Sequence, residues 1–237
     1  MSAPYREDNL LDRVSRPATL ELHYEQVRRR EGEILARRLP LESGEVLSVG
    51  CGWDPGRHLF PAPAFRLTGV EPSPAVVQAL IERGEVDHAV AASAGELPFP
   101  PASFDVVLYR LVLHHLAYRG ELAPCFEEAG RLLRPGGALV AVEPGAWHPI
   151  GAALSAANRL GLGPLVHGTP DDIPLSPRRL EREAERAGLH PELHAVTFGW
   201  RRLPAALQRG IHRLDRRAAG RFRAFAHTLL LIARRPG

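Results

Sequence analysis

The 237-residue sequence contains no lysine, two cysteines, one methionine and no long apolar run. Each shortage excludes a class of protein. Without lysine there is no lysine-bearing phosphate loop of the nucleoside-triphosphatase kind. All 30 basic side chains are therefore arginine, and against 27 acidic residues they leave a formal charge of only +3. Aspartates and glutamates are interspersed among the arginines, so no nucleic-acid footprint is expected. The densest basic stretch, 201–223, also holds Asp215 and several alanines and leucines, and reads as an amphipathic surface helix. Cys51 and Cys125 supply neither a disulfide framework nor a metal-ligand spacing, and no metal is expected; a reducing, cytoplasmic compartment fits. Residues 1–20 lack an apolar core and carry Glu7, Asp8 and Asp12, which is not the pattern of a signal peptide. The longest apolar run, near 229–233, is far too short to form a membrane span.

What the sequence does contain is 45% hydrophobic and 24% charged residues, ordinary for a soluble globular chain. The length suits one large domain, or one domain with an added cap, whose core needs neither disulfides nor metals. Residues 19–39 place Leu20, Tyr24, Val27, Ile34 and Leu35 on one helical stripe. Short apolar strand candidates follow at 46–50, 66–71, 88–91, 104–109 and 138–143, with helical patterns at 74–83 and 121–134 between them. A helix is expected at 150–160 and a charged one from Pro177 to about Ala187, stopped by Gly188. Two more strands, 192–198 and 226–233, complete the chain. Strands alternating with helices predict a mostly parallel sheet with helices on both faces. The expected division is a helical cap over 1–43 and a main domain over 44–237, with an insertion at about 145–188 that shapes a substrate pocket.

The first strand runs into Gly50-Cys51-Gly52-Trp53-Asp54-Pro55-Gly56. Glycines directly after a strand let a ligand approach the backbone where a Cβ would block it, and open parallel sheets bind ligands beyond the carboxyl ends of their strands. Asp54-Pro55 suits an N-cap followed by a first helical position. A dinucleotide fingerprint would need glycine where Pro55 stands, which speaks against a nicotinamide enzyme. The second strand ends at Glu71, an acceptor-only group fit for a ribose diol.

Further on stand Glu96-Leu97-Pro98-Phe99-Pro100, then the run "SFDVVLYRLVLHHL" over 103–116 and "EEAGRLLRPGGALVAVEP" over 127–144. With the glycine turn and the acidic strand end, these blocks resemble class I S-adenosylmethionine-dependent methyltransferases. The small-molecule subgroup that includes ubiquinone and menaquinone biosynthesis enzymes is the most similar. The resemblance implies a Rossmann-like α/β fold with a seven-stranded, mostly parallel sheet, S-adenosyl-L-methionine as cofactor, and methyl transfer to a small molecule. It implies that Gly50, Cys51 and Gly52 lie against the methionine portion, that Glu71 binds the ribose with Pro72 beside the adenine, and that Ser93 and Ala94 contact the adenine edge. Tyr109 and Arg110 would flank the sulfonium and the substrate cavity. The chain departs from the family pattern at Ser48, Asp54 and Ser93, and Asp54 is a candidate to compensate by approaching the cofactor ammonium.

Methyl transfer from a sulfonium is an in-line displacement with an activated leaving group. The protein therefore supplies alignment, exclusion of water and, for a protonated acceptor, a base. His114 and His115 follow the fourth strand; neighbours on a helix point apart, so one of them is expected to face the cavity, and His115 is the chosen base. Glu143, at the end of the fifth strand, is the second catalytic candidate, with His148 and His167 as further ones. His190 and His194 are not expected to bind metal, because Pro191 interrupts the helical spacing. No Asn-Pro-Pro-aromatic block follows strand four, which argues against planar amides and nucleobase amines as acceptors. Trp53, Trp147 and the apolar 150–165 segment could form a lid over a partly apolar acceptor. A methyltransferase-like binding protein with impaired catalysis is the alternative suggested by Ser48, Asp54 and Ser93. The acceptor atom is left open, and a homodimer is compatible with the sequence without being required by it.

Overall fold

Side chains alternate between two opposite faces along a strand, and in this chain both faces are apolar. The computed structural model describes residues 9–52 and 54–237; the first eight residues of the expected cap and Trp53 lie outside them. The strands are β1 (Gly44–Val49), β2 (Phe65–Glu71), β3 (His88–Ala91), β4 (Phe104–Arg110), β5 (Leu133–Pro144), β6 (His190–Thr197) and β7 (Thr228–Arg234). Among the described residues they form one seven-stranded sheet in the order β3-β2-β1-β4-β5-β7-β6. β7 runs antiparallel to both β5 and β6, and the other pairings are parallel. The carboxyl ends of β1, β2, β4, β5 and β6 therefore share one rim.

The helices are α1 (Leu10–Arg13), α2 (Pro17–Arg38), α3 (Pro74–Glu82), α4 (Leu113–Tyr118), α5 (Leu122–Leu132), α6 (Pro149–Arg159), α7 (Gly163–His167), α8 (Pro177–Arg186) and α9 (Ala205–Phe222). On one face of the sheet, Val107 and Tyr109 of β4 and Leu139 and Ala141 of β5 pack with Phe126 of α5 and Leu180 of α8. On the other, Val106 and Leu108 pack with Val27, Ile34 and Leu35 of α2 and with Leu80 of α3. The sheet is thus covered on both faces, as the apolar strands require. Residue Gly188, with φ of +73°, stops the chain after α8 where glycine was expected to do so.

Three helices, α1, α4 and α7, are too short to leave a periodic signal in the sequence. The expected helix start at Asp54-Pro55 does not form. Asp54 instead turns the chain back on itself, its Oδ1 accepting from the Gly56 N–H at 2.9 Å. Among the described residues no helix separates β1 from β2, and α2 packs against the sheet face those strands present. β5 also begins five residues earlier than the pattern at 138–143 suggests. The pairing with β4 slips between Phe104 and Val106, which absorbs Gly136 (φ +80°) and Gly137, where a Cβ would lie 2.8 Å from the Asp105 carbonyl.

Phe126, 1% exposed, is the largest α5 side chain in the core. Phe126→Ala is expected to cost about 3–5 kcal/mol, read as a lowered urea midpoint with unchanged slope.

Candidate active site

The rim is built from the glycine turn upward. Gly50 has φ of +67°, and a Cβ there would lie 2.5 Å from Val112 Cγ2, so conformation and space both demand glycine. Its N–H donates to the Val70 carbonyl at 2.8 Å, tying the turn to β2. The Gly52 N–H donates to Glu71 Oε2 at 3.3 Å, and a Cβ on residue 52 would come within 3.1 Å of that oxygen. The structure thus brings Gly50, Gly52 and Glu71 together at the ends of β1 and β2. Pro72 and Ser93 are exposed just past β2 and β3, and Ala94 is half-buried beside them. Cys51 offers the rim only its backbone. Its buried thiol donates to the Val70 carbonyl at 3.4 Å, and burial followed by the Glu71 charge pushes its pKa up to about 12.

Tyr109 and Arg110 do not line a common cavity. Consecutive strand residues point to opposite faces, and Tyr109 turns under α5, fully buried, with its hydroxyl donating to the Cys125 carbonyl at 3.1 Å. Arg110 turns toward α2, where Nη2 meets Glu31 Oε2 at 2.8 Å and Nη1 meets Asp54 Oδ2 at 2.7 Å. His58 completes the network, with Nε2 3.3 Å from Glu31 Oε2 and Nδ1 3.6 Å from Asp54 Oδ1. Burial alone would raise the Asp54 carboxyl. The hydrogen bond from His58 and the Arg110 charge outweigh it and hold Asp54 well below the usual carboxylate range. Asp54 is accordingly neutralised within the protein and does not stand as a free partner for a cofactor ammonium.

Glu143 is engaged by the start of α4. It is 0% exposed, and its carboxylate accepts from the N–H groups of Val112 at 3.0 Å, Leu113 at 2.8 Å and His114 at 3.4 Å, and meets His114 Nδ1 at 2.6 Å. β5 ends beneath the first turn of α4, whose N–H groups have no partner within the helix, so the carboxylate is consumed in holding that turn. Leu111, which enters it, has φ of +56°, a conformation costly for a side chain with Cβ and found where surrounding structure enforces it.

His114 and His115 do not point apart. Their ring centroids lie 4.0 Å from one another. Both belong to the first turn of α4, where no preceding turn restricts their rotamers, and both reach the same acidic loop. His114 Nε2 is 3.5 Å from Asp172 Oδ1, and His115 Nδ1 is 3.4 Å from Asp171 Oδ1. Their proton affinities diverge. Burial would lower that of His114, but the Glu143 charge and hydrogen bond raise it. For His115, burial and then the neighbouring His114 lower it. Such divergence separates a charged partner from a neutral one with a free nitrogen. His167, from α7, joins through Asn158, whose Oδ1 is 2.8 Å from its Nε2. His148 is spent capping α6, its Nδ1 accepting from the Ile150 N–H at 3.2 Å.

Sequence reasoning passed over Glu31, His58, Asp171 and Asp172 as site residues. It also missed a histidine group in which His23 lies 5.7 Å from His227 and 6.4 Å from His212, with His148 5.1 Å from His227. His23 is pushed down to about 3 by burial, Arg201 and His212. The Pro-bounded Asp171-Asp172 pair was a visible signal, but Glu31 and His23 lie mid-helix and nothing local marks them. His190 and His194 lie on β6, and among the described residues no group of three or more side chains is arranged to hold a metal ion.

A sheet of this order with an antiparallel seventh strand, a glycine turn after β1 and a carboxylate ending β2 defines the class I methyltransferase architecture. The methyltransferase domain family matches residues 47–141. The 27-O-demethylrifamycin SV methyltransferase of Amycolatopsis mediterranei is 39% identical over 113 residues, 44% of this chain and 40% of that protein. A Mycolicibacterium smegmatis protein described as a probable S-adenosylmethionine-dependent methyltransferase is 35% identical over 175 residues, 71% of this chain and 58% of its own. The chain thus spans about two to three fifths of the length of these curated relatives. A solved Thermotoga maritima structure, described as an S-adenosylmethionine-dependent methyltransferase, shares the fold with a TM-score of 0.63 at 18% identity, covering 90% of this chain and 95% of that one. Residues 47–141 thus match a methyltransferase domain, and the chain shares the fold of solved S-adenosylmethionine-dependent methyltransferases. Among its described residues no helix is long and apolar enough to cross a membrane.

Removing Arg110 would take the guanidinium from the fully buried Glu31 and leave it the His58 contact alone among the described residues, so Arg110→Met is expected to cost about 3–5 kcal/mol in urea unfolding. A linked acid effect should follow. Folding lowers the Asp54 pKa, so its contribution is full above the unfolded value of about 4 and is lost as pH falls below it. That acid-dependent loss should shrink in Arg110→Met, as urea midpoints between pH 5 and pH 2 would show.

Proposed function

We propose that the protein transfers a methyl group from S-adenosyl-L-methionine to an oxygen, nitrogen or carbon atom of a small, partly apolar metabolite in the cytoplasm. The observation that carries this reading is the cradle of Gly50, Gly52 and Glu71. A Cβ at position 52 would crowd the carboxylate, and Glu71 Oε1 is left without a partner among the described residues. A carboxyl group with one open oxygen at a strand end suits a ribose diol, and the turn's backbone suits the methionine portion. Pro72, Ser93 and Ala94 would border the adenine. When bound, the cofactor supplies a methyl group on a positively charged, readily displaced sulfur.

The chain's own residues do the rest. The charge on Asp54 is met by Arg110, and α2, carrying Glu31, walls the site. Glu143 fixes the first turn of α4. Asp171 orients His115 through Nδ1 and leaves Nε2 to take a proton from the acceptor, while His114 remains the charged partner of Glu143. In the insertion, a cavity of about 510 Å³ is bordered by Tyr118, Ala146, Asn158, Pro164, Ile173 and Leu175, among others. This largely apolar lining, with Asn158 linked to the His167 ring and to the Asp172 carbonyl, favours an acceptor with an apolar body and a polar reacting end.

Hydrogen bonds to a charged group contribute about 1.5–3 kcal/mol. Glu71→Ala should therefore weaken S-adenosylhomocysteine binding by about 10- to 150-fold, read by calorimetry; equal affinity in the variant would remove the cradle. His115→Asn should lower kcat by about 10²- to 10⁴-fold with little change in cofactor affinity. The lowered His115 pKa places the acid limb of kcat/KM below the ordinary histidine value of about 6.5. A limb unmoved in the variant would show that His115 is not the base.

A further inference from the structure

Away from the rim, α2, α9 and the middle of β6 enclose a cleft of about 430 Å³ whose charge the reaction does not use. Five arginines line it: Arg30, Arg37, Arg38, Arg216 and Arg223. Two carboxylates pair with them, and Asp215 of α9 is a third within electrostatic reach of Arg30. Glu33 takes Arg30 at 2.7 Å and also Arg216, while Glu192 takes Arg38 at 3.3 Å and Arg234 at 3.5 Å. Arg37 and Arg223 have no carboxylate partner among the described residues; Arg37 donates only to the Glu33 carbonyl. Arg30 is 4% exposed and its Nε has no acceptor, an unmet buried donor that ordinarily calls for a missing partner. His194 also lines the cleft, half-buried, with its Nε2 3.4 Å from Glu192 Oε1. Its proton affinity is lowered by burial and, against Glu192, by Arg38 and Arg223. Arginines outnumber carboxylates here, in a chain whose overall charge is nearly balanced.

We propose that this cleft binds a small phosphate-bearing anion, with Arg37 and Arg223 as its principal ligands and Arg30 as a buried contributor. Guanidinium groups match phosphate oxygens in a two-pronged geometry. A concave pocket between three elements suits a compact polyanion rather than the backbone of a long duplex, which calls for an extended stripe. Binding would clamp α2 and α9 against β6 and stabilise the folded chain by mass action.

The test is thermal unfolding and calorimetry of the full chain with sodium pyrophosphate, against sodium chloride at matched ionic strength. The expected result is a saturable rise in Tm with pyrophosphate and none with chloride. Arg37→Glu/Arg223→Glu should weaken pyrophosphate binding at least tenfold, while its Tm in chloride stays near that of the parent, because both side chains are exposed and lack carboxylate partners. No rise beyond the chloride control would overturn the proposal, as would an equal rise in the double variant. A short DNA duplex binding more tightly than pyrophosphate, with a steep salt dependence, would also overturn it and mark the face as a nucleic-acid surface. Glu71→Ala should bind pyrophosphate like the parent, so loss of the cradle and loss of the cleft are told apart.

Discussion

A carboxyl group removed from water is tolerated only if its hydrogen-bonding capacity is met, and Glu143 meets this condition with four contacts at the start of α4. That condition organises the rim. By holding the N–H groups of Val112, Leu113 and His114, the end of β5 dictates where α4 begins and forces Leu111 into a left-handed conformation. The same anchored turn sets Val112 against Gly50, which is why only glycine fits there. It also presents the paired imidazoles to Asp171 and Asp172. One buried side chain therefore links the glycine turn after β1, the helix after β4 and the acidic loop of the insertion.

The second tie is ionic and reaches the other face. Arg110 joins Glu31 of α2 to Asp54 of the glycine-turn loop, and His58 closes the group. Buried charges of this kind add little net stability against an apolar core, but breaking one partner is costly. The network instead fixes where α2 lies relative to the rim. α2 then does two jobs. Its apolar stripe covers the sheet face left without a helix between β1 and β2, and its Glu31 neutralises the arginine at the end of β4. The two ties act on opposite faces of the sheet, yet both converge on the loop that follows β1.

Much of this was legible in the sequence because it is local. Apolar runs, the glycine turn, Glu71 and the alternation of strands with helices all carry their signals within a few residues, and the sheet forms as they imply. What was not legible depends on distant partners. Tyr109 and Arg110 sit together at a strand end, but the two-residue period sends one beneath α5 and the other toward α2, a divergence the pattern itself contained. Glu143 reads as a free carboxylate until the orphan N–H groups of α4, some thirty positions earlier, are seen to engage it. His114 and His115 lie side by side, rings tilted, and both reach a loop more than fifty residues later. No spacing in the chain reports that.

The most direct test is a crystal structure of the protein grown with S-adenosylhomocysteine. The expected result is density for the nucleoside at the carboxyl rim, with Glu71 Oε1 within hydrogen-bonding distance of a ribose hydroxyl and the backbone of Gly50–Gly52 against the amino-acid portion. A nucleoside bound elsewhere, or a rim left empty with Glu71 turned to solvent at saturating ligand, would contradict it.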